Sequence, residues 1–139
     1  MAIDIYNRGM EDLDSFIKKH RNNEEKSSDF VTYLYKLIDK YRFKKDSEFY
    51  NKANVSKQCF SLIKSGKVNP SMETVIKFVF TLHATNRECK YLLKKAGYTL
   101  ASSSKYALII RYCIENKIYD LDVLNQYLEE YGYGNSLIY

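Results

Sequence analysis

The chain has 139 residues, 45% of them hydrophobic and 28% charged, with five glycines, one proline and a net charge of +5. That balance excludes a disordered chain, and the shortage of turn residues argues against a sheet-rich fold. No apolar run reaches the roughly 18 residues that a membrane span needs, so no membrane association is expected.

The start, Met1-Ala2-Ile3-Asp4-Ile5, lacks the basic-then-apolar order of a secretion signal. Cys59, Cys89 and Cys113 form no CxxC pair, and His20 and His83 stand at no metal-ligand spacing. No metal site or disulfide framework is expected, and a reducing, cytoplasmic setting fits.

Taken in chain order, the elements are helical throughout. Met10, Leu13, Ile17 and His20 recur at 3-4-3 spacing, which predicts an amphipathic helix over 8–20. Residues 21–28 are polar and read as a linker, with Asp29 as a cap for the second helix. Phe30, Leu34, Leu37, Ile38 and Tyr41 mark the inner face of that helix. Lys44-Lys45-Asp46-Ser47 interrupts the pattern and offers a fresh cap for a short helix over Ser47 to Ala53.

Asn54 then stands at a turn position, where a left-handed backbone is needed. Ser56 caps a helix that Gly66 ends. Pro70-Ser71-Met72-Glu73 opens another, whose buried stripe is Met72, Val75, Ile76, Val79 and His83. A further helix starts near Asn86, turns Cys89, Leu92, Leu93 and Ala96 inward, and stops at Gly97. Two more carry Tyr106, Ile109, Ile110, Cys113 and Ile114, then Leu121, Leu124, Tyr127, Leu128 and Tyr131. The Ser102-Ser103-Ser104 run caps the first of these. The expected fold class is therefore all-α, with about eight helices and no strand.

Charge is unevenly spread along this order. Residues 1–29 carry five basic and seven acidic groups, whereas residues 30–70 carry nine and three. Residues 71–105 carry six and two, and residues 106–139 two and five. A basic middle between acidic ends suits a module that binds a polyanion.

The informative stretch is residues 46–85. Two short helices joined by a tight turn bury little alone and need the flanking helices as support. At 100° per residue, Ser56, Cys59, Phe60 and Ile63 cluster on one side of the second short helix. Gln58, Ser61, Leu62 and Ser65 lie opposite, with Lys57 and Lys64 on the flanks. Amides and hydroxyls suit base edges and cations suit phosphates.

Over about residues 30–97 the chain resembles the Cro/repressor-like, or XRE-type, helix-turn-helix DNA-binding domains. The matching positions are Phe49, Val55-Ser56, Phe60, Ile63, Gly66, Pro70-Ser71-Met72-Glu73-Thr74 and Leu82. The resemblance implies a helix-turn-helix bundle over 30–97. Residues 1–29 would be an N-terminal helical arm and linker, and residues 98–139 a C-terminal helical extension packed on the bundle. The segment after residue 96 is similar to a tail found on uncharacterised bacterial proteins of this class. Asp46 stands where the family has glutamine, and is expected to repel phosphate. Tyr50 replaces a small alanine and needs more room, and Asn54 takes the place of the turn glycine. Lys64 replaces a glutamate, and is expected to remove an internal ion pair.

The resemblance and the charge pattern together imply a sequence-specific, double-stranded-DNA-binding transcriptional regulator. Lys57, Gln58, Ser61 and Leu62 would read bases, and Lys45, Lys64, Lys67 and Asn69 would lie at phosphates. A homodimer is expected, through the N-terminal helix at 8–20 or the C-terminal helices at 104–131, because one short recognition helix reads only a few base pairs. The alternative is the same fold reused as a protein-binding adaptor, for instance in phage defence or its inhibition. Asp46, Leu62 and the tyrosine-rich acidic tail motivate it. No nucleotide-binding loop, carboxylate pair or Ser/His/Asp set is present, so no conventional enzyme and no cofactor are expected.

Overall fold

A computed structural model describes residues 2–25 and 29–139 of the chain. It contains eight helices and no strand among the described residues. They are α1 (Ala2–Glu25), α2 (Asp29–Lys40), α3 (Asp46–Lys52), α4 (Lys57–Lys64), α5 (Met72–Leu82), α6 (Asn86–Lys95), α7 (Lys105–Glu115) and α8 (Leu121–Glu130). None is long and apolar enough to cross a membrane.

The first helix is longer than the sequence pattern predicts, running to Glu25 through part of the expected linker. Residues 26–28 lie outside the described residues, as do the side chains of His20 and Asp29. The stripe role predicted for His20 and the cap predicted at Asp29 therefore concern groups outside that description.

One core joins α2 to α8. Phe49, Val75, Ile76, Phe78, Leu92, Leu124 and Leu128 are all sealed from solvent within it. Phe49 sits at its aromatic centre, with ring centroids 5.4 Å from Phe43, 6.0 Å from Phe60 and 5.2 Å from Phe78. Offset and edge-on contacts of this kind add about 0.5–1.5 kcal/mol per pair beyond burial. Tyr50 finds its room beside Phe60, at 5.4 Å, and is only half-buried.

Helices α7 and α8 pack on the rest through Tyr119. Its ring meets Phe80 edge-on at 5.8 Å, and its hydroxyl donates to the Ala84 carbonyl at 2.8 Å. At the C-terminus, the buried Asn125 amide donates to the Ile138 carbonyl and accepts from its N–H, at 2.7 and 2.8 Å. That pair of hydrogen bonds draws Ile138 into the core.

Local chemistry sets most helix ends. The hydroxyls of Ser56, Ser71 and Ser104 each accept the N–H three residues on, and Asp120 caps α8. Gly66 and Gly97, at φ 77° and 88°, end α4 and α6 as expected. Two inward assignments fail. His83 is exposed because it caps α5 at φ 57°, and it stacks on Tyr119 at 4.4 Å instead. Tyr131, predicted on the inner stripe of α8, is 58% exposed, because α8 has ended at Glu130.

The turn between α3 and α4 holds Asn54 at φ 55°. Its carbonyl accepts from Lys77 Nζ at 2.9 Å, so α5 anchors the turn from behind. Partial burial lowers the Lys77 pKa. Asn54→Gly should leave stability within a few tenths of a kcal/mol, whereas Asn54→Val should cost about 1–2 kcal/mol in the left-handed region. Urea unfolding of the two variants checks this, and equal losses would contradict a strained turn.

Candidate nucleic-acid interface

The recognition-like helix α4 is short, and its direction is fixed from both ends and from below. Phe60 and Ile63 bury its inner side, at 3% and 2% exposure. Ser56 holds its first turn through the Cys59 N–H at 3.1 Å. At the far end Gly66 bends the chain so that the Lys67 and Val68 N–H groups both return to the Leu62 carbonyl.

The outer face is as the helical phase predicts. Lys57, Gln58, Ser61, Leu62 and Ser65 are all exposed, and Leu62 is 42% open. Cys59, on the inner side, is half-buried. This face can donate and accept at once through the Gln58 amide, donate or accept through Ser61, and offer an apolar contact at Leu62. Lys45 precedes α3 and Lys67 follows α4; both are exposed.

Two predicted phosphate ligands have other engagements. Asn69 donates its Nδ2 to the Ala96 carbonyl at 2.8 Å, which latches the loop before α5 onto the end of α6. Lys64 Nζ lies 2.9 Å from Asp46 Oδ2, and the Tyr35 hydroxyl donates to the same oxygen at 2.9 Å. The hydrogen bond to Asp46 raises the Lys64 pKa. Burial, then the bond to Asp46, raises that of Tyr35.

This cluster gives both positions a partner that the sequence reading missed. Lys64 makes an ion pair of its own, with Asp46. Asp46 does not serve as a helix cap. Lys45 holds the cap position of α3 without a side-chain bond, because the Asp46 carboxylate faces α4. The acidic group expected to repel phosphate is thus offset by the ammonium beside it, and together they tie α2, α3 and α4.

Comparison of the chain with protein-family models, with curated proteins and with solved structures found no match in any of the three.

Sequence pattern alone passes over two further features. One is Glu88, buried between α2 and α6. Its carboxylate accepts from Lys40 Nζ at 2.8 Å, from the Tyr41 hydroxyl and from the Thr85 N–H at 2.9 Å. Burial works against its charge, but those three donors prevail and hold its pKa below the usual value. The other is an open groove of about 590 Å³ between α6 and α7, with Leu93, Leu100 and Leu108 along it and Lys90, Lys94 and Arg111 around it. Cys89 also borders the groove; its thiol is pushed up to about 12 by burial, which makes it a poor nucleophile. No cluster of metal-ligating side chains occurs among the described residues.

Proposed function

We propose that the chain is a sequence-specific, double-stranded-DNA-binding transcriptional regulator of Cro/repressor-like helix-turn-helix type. The observation that carries this reading is the outer face of α4. A rigidly seated helix there exposes Lys57, Gln58, Ser61 and Leu62 together, with its other side packed on Phe60 and Ile63. Inserted in a major groove, Gln58 would pair with the N6/N7 edge of adenine and Leu62 would meet a thymine methyl. Lys45 and Lys67, on either side of the helix pair, would meet phosphates. Lys64 would contribute less than a free lysine, since Asp46 already compensates it. A second copy would double the sequence read, one half-site each.

The adaptor alternative keeps the exposed Leu62, Tyr131 and Tyr139. It loses Asp46 as an argument, because Lys64 accounts for that residue.

Binding to own-promoter and random DNA over a salt series separates the two. A regulator prefers one sequence and loses affinity steeply as salt rises. Absence of binding at every salt concentration would remove the DNA reading. Within the same series, Lys67→Ala should weaken all sequences alike and flatten the salt slope by about one. An unchanged slope would take Lys67 off the phosphate path.

A further inference from the structure

The segment between α6 and α7 is held at both ends. The Tyr98 hydroxyl donates to the Pro70 carbonyl at 2.9 Å, and the Tyr98 N–H returns to the Leu93 carbonyl at 2.8 Å. Further on, the Ser104 N–H donates to the Ala101 carbonyl at 2.9 Å, and the Ser104 hydroxyl caps α7. Held in this way, the segment leaves the groove of about 590 Å³ against the two helices. Small-molecule sites occupy about 300–1,000 Å³ and combine apolar walls with a few polar groups. Here Leu93 and Ile110 are buried, Leu100 is half-buried and Leu108 is 45% exposed. The apolar body of a ligand would take that open surface out of water.

The charges around these walls are of one sign. Lys90 and Lys94 stand four residues apart on α6, Arg111 stands on α7, and no carboxylate lines the groove among the described residues. Like charges at that spacing work against a helix. Neither lysine has an ion pair among the described residues. Glu115 takes the Arg111 Nε at 2.7 Å, which leaves the terminal amines of the guanidinium for another acceptor.

We propose that this groove binds a small amphipathic carboxylate, an apolar chain with one acidic head. The chain would lie along Leu93, Leu100 and Leu108. The head would meet Lys90, Lys94 and Arg111, whose planar fork matches a carboxylate. A neutral apolar ligand would leave the cations unanswered, and a small inorganic anion would leave the walls wet. Because α6 and α7 each supply one side, the bound acid links the C-terminal helices to those before them. The site is independent of the DNA reading, and its test contains no DNA.

The probe is decanoate, kept well below the concentration at which it forms micelles and titrated calorimetrically into the full chain. One molecule should bind per chain. Decanamide and decylamine, with similar tails and no negative charge, should bind at least about tenfold more weakly. Saturating decanoate should also raise the melting temperature. Leu108→Glu alters an exposed side chain, so the chain should stay folded by circular dichroism while decanoate affinity falls by about tenfold or more. Lys94→Ala should weaken decanoate several-fold and leave decanamide unchanged, a split that a general loss of structure would not give. Lys36→Ala makes the same charge change outside the groove and should alter neither. Equal affinity for decanoate and decanamide would overturn the proposal, as would a decanoate affinity that survives both Leu108→Glu and Lys94→Ala. A chain that binds phosphatidylglycerol vesicles but no monomeric decanoate would overturn it too.

Discussion

Glu88→Ala should destabilise the fold by about 3 kcal/mol, and so lower the melting temperature by roughly 10 °C. The side chain closes a capping box at the start of α6. Its carboxylate accepts the Thr85 N–H, while the Thr85 hydroxyl accepts the Glu88 N–H at 3.2 Å. Losing half of that box costs about 1 kcal/mol. The same carboxylate also takes the Lys40 ammonium at the end of α2 and the Tyr41 hydroxyl just beyond it. Removing it leaves the half-buried hydroxyl without its acceptor, at about 1–2 kcal/mol more. Lys40 itself is more than half exposed, so its share is small.

The pH dependence follows from the direction of the shift. The Glu88 pKa is lowered from a reference of 4.5. A carboxyl depressed on folding stabilises fully above its unfolded value, and that stabilisation is lost as pH falls through the lower folded value. The gap between the parent chain and Glu88→Gln should therefore hold near neutrality and shrink on acidification below about 4.5. Thermal unfolding by circular dichroism over a pH series reads both effects. A loss under about 1 kcal/mol for Glu88→Ala, or a gap to Glu88→Gln that stays constant into acid, would show that the site does not join α2 to α6 energetically.

Gln58→Ala should weaken binding to a cognate DNA site by about 1–3 kcal/mol, a factor of roughly 5 to 150, while non-specific affinity stays the same. The reason is the division of labour along the face of α4. Base edges would be read by the Gln58 amide, whereas sequence-independent affinity comes from cations at phosphates. Gln58 is fully on the outer side, so alanine there removes no packing and gains slightly in helix propensity. Folding stability should be unchanged within about 0.5 kcal/mol. A titration against cognate and scrambled duplexes, paired with an unfolding curve, makes the measurement. Undiminished discrimination between the duplexes would sink the base-reading role of Gln58. A protein-binding adaptor would show no DNA preference to lose.

Amino-acid order by itself determined the helices and most of their ends. Ser56, Ser71, Ser104 and Asp120 cap their helices because a side-chain oxygen reaches N–H groups only two or three residues away. Asn54, Gly66 and Gly97 reverse the chain because a left-handed backbone is a property of one residue. The phase of α4 was legible for the same reason: 100° per residue places Phe60 and Ile63 inward and Gln58 and Leu62 outward without reference to any other element.

Tertiary structure alone decided which charges meet between helices. Asp46 and Lys64 are 18 residues apart, and taken singly the first suggested repulsion of phosphate and the second a lost ion pair. They make one between them because α3 and α4 meet across the turn. Glu88 reaches Lys40 and Tyr41 across 48 and 47 residues, and Asn69 reaches Ala96 across 27. Such contacts depend on where helices cross, which helical periodicity does not encode. The face of α1 shows the same division. Its apolar spacing is written in the chain, but only the assembled core, which the described side chains of α1 do not join, leaves that face open to solvent.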